Sequence, residues 1–115
     1  MTHKQQKDSY QKVLELLLKL SQMSRQIHDV FSDESLILGE YRKVDEKTSS
    51  VQERWYLMIN SQGLYRTCAE KHGNLAQNPF VPANMEKITS VDIDLIKDYN
   101  VDPKNIQELI DTLEA

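Results

Sequence analysis

The sequence predicts an all-α protein, an antiparallel helical hairpin or bundle followed by a proline-containing linker and two short C-terminal helices. Three observations predict it. Apolar residues recur at alternating steps of three and four along two long stretches, the rhythm of a packed helix face. Pro79 and Pro82, three apart, separate those stretches from the C-terminal end. That end carries helix-start residues followed by apolar residues at helical spacing.

Residues 1–7, MTHKQQK, are polar and lack apolar anchors; a flexible terminus is expected. Tyr10, Val13, Leu17, Leu20, Ser24, Ile27 and Phe31 then predict a helix over about 8–31. Leu14, Leu16, Met23 and Val30 widen its apolar stripe, which implies contact on more than one side, as in a bundle. Ser32-Asp33-Glu34-Ser35 holds residues that cap helix starts, with negative charge that suits an N-terminus, so the chain is expected to turn there.

Ile37, Tyr41, Val44, Thr48, Val51, Trp55, Met58, Gln62, Tyr65, Ala69 and His72 repeat the four-three step without a slip. They predict a long or kinked helix over about 33–72. Gly39 costs ~1 kcal/mol there relative to alanine. Ser50 with Glu53 three residues on resembles a capping box. Two forms therefore stay open: one continuous helix, or a break near Lys47 with a fresh start at Val51. Gly73 stands where a helix C-cap glycine belongs, after Lys71 and His72.

Residues 8–73 thus read as the hairpin core and 74–88 as an extended linker, because prolines deny helix to the residues before them. Residues 89–115 read as an acidic helical pair, packed on the core or on a partner. Thr89 or Ser90 is the expected cap of a helix from Val91 to about Tyr99. Asp102 caps one that begins at Pro103, a favoured first helical position. Val101 and Ile106 suit a hydrophobic staple, and Ile106, Leu109, Ile110 and Leu113 form the apolar face.

Composition narrows the function. The net charge is -4, and from Met85 to Ala115 eight acids face three lysines, a balance of -5. Nucleic acid and anionic membrane, which require a clustered positive field, are not expected partners. A single cysteine, Cys68, allows no internal disulfide. The polar start and short apolar runs point to the cytoplasm or nucleus.

No catalytic chemistry is legible. Three isolated glycines make neither a P-loop nor a dinucleotide fingerprint. Cys68 and His72, four apart, supply half of a zinc site, and nothing nearby supplies the rest. Asp92-Ile93-Asp94 opens like a calcium loop but meets Ile96, Lys97 and Pro103 where ligands and glycine belong. No metal or cofactor is expected. Trp55, Tyr56 and Tyr65 near Arg54 and Arg66 could stack bases, but on a helix Trp55 and Tyr65 fall on the apolar seam. Asn78-Pro79-Phe80 matches the tripeptide recognised by EH domains, and a phenylalanine anchoring a linker explains it as well.

The expectation is a non-enzymatic protein–protein interaction protein, a small helical subunit or adaptor of a multiprotein assembly. A ~35 Å first helix cannot cover a ~60 Å second one at about 1.5 Å per residue, so the C-terminal pair folding back through the linker, a second copy, a different protein, or the pair together with a partner is expected to cover the remaining seam. Trp55, Met58 and Tyr65 on that seam, Phe80 in the linker, and Asp92, Asp94 and Asp98 in the acidic end are the expected partner contacts. The alternative is a small acidic inhibitor or immunity-type protein that blocks a basic site through its acidic end.

Overall fold

Residues 36–75 form strands, not the long helix that the spacing predicts. The computed structural model describes residues 3–115, with side chains from residue 9 onward. Strands β1 (Leu36–Val44), β2 (Val51–Asn60) and β3 (Gly63–Lys71) make an antiparallel meander. Two-residue strands β4 (Asn74–Leu75) and β5 (Glu86–Lys87) both pair with β3, completing a five-stranded sheet. Four helices join it: α1 (His3–Ser21), α2 (Ser24–Phe31), α3 (Ile93–Asp98) and α4 (Pro103–Glu114). The protein is mixed α/β, not the all-α hairpin, bundle or coiled coil that the three-four apolar spacing predicts.

The physical reason lies in β2. Trp55, Tyr56, Leu57, Met58 and Ile59 are apolar without a gap, because a central strand is covered on both faces and loses its two-residue alternation. Leu57, Met58 and Ile59 are each fully buried. Aromatic and branched side chains fit this pleated setting. The turns are also those of hairpins. His72 and Gly73, at φ 52° and 80°, adopt the left-handed pair of a type I′ turn between β3 and β4.

The sheet sorts the apolar residues by face. Leu36, Leu38, Tyr41, Trp55, Leu57, Ile59 and Leu64 join the helices in one core. On the opposite face Ile37, Met58 and Tyr65 are cross-strand partners. Trp55 and Met58, neighbours on the expected helical seam, therefore point to opposite sides of the sheet.

The expected first helix is two. It starts at His3 rather than near residue 8; Met1 and Thr2 of the expected flexible terminus lie outside the described residues. It breaks at Gln22 and Met23, whose amides reach back to Lys19 and Leu20 at 3.1 and 3.0 Å in a tightened last turn. Val13, Leu17, Leu20 and Ile27 nevertheless share the core.

The C-terminal helices belong to the same core. Asp92, rather than Thr89 or Ser90, caps α3 by accepting from the Leu95 amide at 3.0 Å. Asp102 caps α4, accepting from the Lys104 amide at 2.9 Å, with Pro103 in the first turn. Ile96, Tyr99, Val101, Ile106, Ile110 and Leu113 are buried with Leu17 and Leu20 of α1. Residues 89–115 pack on the core.

Both sheet edges are blunted, a defence against strand-to-strand association. The outer edge of β1 is engaged where the Glu40 amide donates to the Tyr99 carbonyl at 2.9 Å. The far edge of β3 is shared by β4, β5 and the segment between them. There the buried Thr67 hydroxyl donates to the Pro79 carbonyl and lies 3.4 Å from that of Asn84. Thr67→Val keeps the volume and removes the donor. Its expected cost is about 1–2 kcal/mol, read from the urea midpoint, with faster proteolysis around Pro79 and Phe80.

Among the described residues no helix is long and apolar enough to cross a membrane.

Candidate functional site

At the C-terminal end of α3 the helix-facing side of the sheet opens into a hollow of about 270 Å³, lined by Tyr41, Trp55, Arg66, Asp98 and Tyr99. Strand register builds most of it. Tyr41 of β1 and Trp55 of β2 are direct partners, and Arg66 of β3 lies across from Leu57 two pairs along. Gly39 admits the fourth wall: with no side chain of its own, it lets the Tyr99 backbone rest against β1.

The rings of Tyr41 and Tyr99 lie 5.9 Å apart, tilted by 50°. The Arg66 guanidinium sits 5.0 Å from the Trp55 ring centroid, a cation–π distance. It also donates through Nε to Glu86 at 2.8 Å, and this hydrogen bond raises the Arg66 pKa above its ordinary value. Two further hollows adjoin. Glu40, Tyr41, Arg42, Lys97, Asp98 and Asn100 line one of about 640 Å³. Arg66, Glu86, Asp92, Asp94, Asp98 and Tyr99 contribute to another of about 370 Å³.

Burial raises the Tyr99 pKa, and the nearby Arg66 charge opposes that rise without cancelling it. The folded state therefore keeps the phenol proton to higher pH than the unfolded chain does. The resulting stability is fully present below about pH 10 and is lost as pH rises through the higher folded value. Tyr99→Phe is expected to remove this part of the alkaline loss. Urea midpoints of the two proteins compared at about pH 8 and about pH 11 check it.

The opposite face carries a charge ladder instead. Glu40 lies 2.6 Å from Arg42 Nε and 3.3 Å from Arg54 Nε, and Glu70 lies 3.7 Å from Arg54 Nη2. The Arg54 Nε proton does not aim at Glu40, so that buried nitrogen has no hydrogen-bond partner despite the charge contact.

The residues singled out from sequence are dispersed. Trp55 and Asp98 line the aromatic hollow together, and Asp92 and Asp94 line its neighbour with Asp98. Met58 is fully buried on the other face. Tyr65, beside it, faces Lys87 Nζ at 5.8 Å, and Phe80 leans on Tyr56 with centroids 5.8 Å apart. Cys68 and His72 sit on a strand and in the turn that follows. Tyr41, Arg66 and Tyr99 are not among the expected partner contacts, although Arg66 stands with Trp55 in the base-stacking alternative. A strand register through Tyr41 and Trp55 is the signal that finds the first, and Arg66 follows two pairs along.

Compared with known protein families, with curated proteins and with solved structures, the chain matches none.

Proposed function

We propose that this chain is a non-enzymatic protein–protein interaction protein, a small subunit or adaptor of a cytoplasmic or nuclear assembly. It grips its partner at the hollow of Tyr41, Trp55, Arg66 and Tyr99. One observation carries the reading: three aromatic rings and an arginine converge on a surface hollow of about 270 Å³. Tryptophan, tyrosine and arginine dominate the binding energy of protein interfaces when they cluster around a desolvated centre. The hollow has room for one inserted side chain. The blunted edges of the sheet favour a different protein over a second copy as partner.

The acidic-inhibitor alternative has less support. Asp92 and Asp102 are engaged as helix caps, and Asp111 accepts from Gln107 at 2.9 Å. Asp92 shares a hollow with Asp94 and Asp98, whereas Asp102 and Asp111 belong to α4 and do not line it.

Affinity capture from native-host extract tests the proposal, with Trp55→Ala and Arg66→Ala compared against wild type and against Leu75→Ala, an exposed control. Circular dichroism confirms that each variant is folded. A protein retained by wild type and Leu75→Ala is expected to fall about tenfold or more on the two hollow variants. Identical captured sets from all four would refute it.

A further inference from the structure

The charges around the aromatic hollow indicate what enters it, an inference that rests on the interaction reading above. Two charged side chains line the hollow, Arg66 and Asp98. Arg66 is committed, bonded to Glu86 at 2.8 Å and stacked over Trp55. Asp98 is exposed, and among the described residues it has no ion pair and no side-chain hydrogen bond. Lys97 lines the adjoining hollow with Glu40 and Arg42 and makes no ion pair with Asp98.

The uncompensated charge is therefore a carboxylate beside the Tyr41 and Tyr99 rings, the Trp55 face being covered by Arg66. Anions are repelled there. A cation gains from both the ring quadrupoles and the carboxylate. A guanidinium fits better than an ammonium, because it is planar, weakly hydrated, able to stack on a ring and able to bond a carboxylate through two N–H groups. The hollow already accommodates one such stack, Arg66 on Trp55.

We infer that an arginine side chain of the partner protein enters this hollow, stacking against Tyr41 and pairing with Asp98. The partner surface is basic at the point of contact, and association weakens as salt screens the pair.

Trp55 is the only tryptophan in the chain, so its emission reports on the hollow directly. Nα-acetyl-arginine methylamide is the probe, titrated into the full-length protein over the millimolar range. A saturable change in Trp55 emission is expected, with none from Nα-acetyl-norleucine methylamide, which has similar length and no charge. Asp98→Asn is expected to weaken binding of the arginine probe about threefold to fivefold, with an unchanged circular dichroism spectrum. Saturation by the norleucine probe at the same concentration, binding of Nα-acetyl-aspartate amide in its place, no saturable change, or equal affinity in Asp98→Asn would each overturn the inference. Capture that depends on Trp55 but not on Asp98 sinks the arginine assignment and leaves the interaction reading standing. Capture independent of Trp55 sinks both.

Discussion

Gly39→Ala lowers the unfolding free energy by about 2–4 kcal/mol, although it adds one methyl group to a strand. Its Cβ would collide with the Tyr99 carbonyl oxygen and lie 3.2 Å from the carbonyl carbon. Both are backbone atoms, so no flexible side chain can yield. Either β1 or the turn between α3 and α4 has to move. The bond from the Glu40 amide to the Tyr99 carbonyl, 2.9 Å long, is then lost, at about 1 kcal/mol. Overpacking strain adds about 1–3 kcal/mol. The sign is what discriminates. At an unconstrained position the same replacement stabilises by roughly 0.4–1 kcal/mol, because alanine has fewer unfolded conformations to lose. Denaturant midpoints decide between the two, and a neutral or stabilised variant contradicts the close approach. Because Tyr99 is also a wall of the hollow, Trp55 emission is expected to shift in any Gly39→Ala protein that remains folded.

Truncation after Met85 abolishes cooperative folding. If residues 89–115 were a detachable acidic tail, the remainder would keep its melt and lose only binding. Instead the truncation removes Ile96, Tyr99, Val101, Ile106, Ile110 and Leu113 from a core they share with Leu17, Leu20, Leu57 and Ile59. At about 1.5–3 kcal/mol per buried side chain, the loss is roughly 10 kcal/mol, comparable with the whole stability of a domain this size. It also strips Lys87 and Glu86 from the edge of β3. A calorimetric scan of the truncated chain is expected to show no transition. A sharp one would mean that the sheet and the N-terminal helices fold without α3 and α4.

Local signals at the chain ends matched their outcome better than those in the middle. The Asp102-Pro103 pair marks the start of α4 because capping and proline chemistry act within one turn of helix and depend little on the rest of the fold. The middle misled for a definite reason. A four-three step through Tyr41, Val51, Trp55, Met58 and Tyr65 arises by chance where a central strand is apolar on both faces, and the bulges near Leu38 and Trp55 displace the alternation that would have betrayed the strands. Short polar segments at Asp45–Ser50, Ser61–Gln62 and His72–Gly73 were the available evidence for turns.

The hollow was legible only in part for the same reason. Trp55 and Asp98 stand out as residue types, whereas Tyr41, Arg66 and Tyr99 reach them through strand pairing and the fold-back of α3. Sequence separation hides such partners until the register is known. The length argument for a partner, which rested on a seam too long for the first helix to cover, lapses with the helix. Converging aromatic side chains and an unpaired carboxylate now motivate a partner in its place.

Acrylamide quenching of Trp55 in the complex isolated from the native host tests the binding claim most directly. If the partner seats in the hollow, Trp55 is shielded and its quenching constant falls severalfold relative to the free protein, with emission moving to shorter wavelength. Quenching as efficient in the complex as in the free chain places the partner elsewhere and contradicts the account.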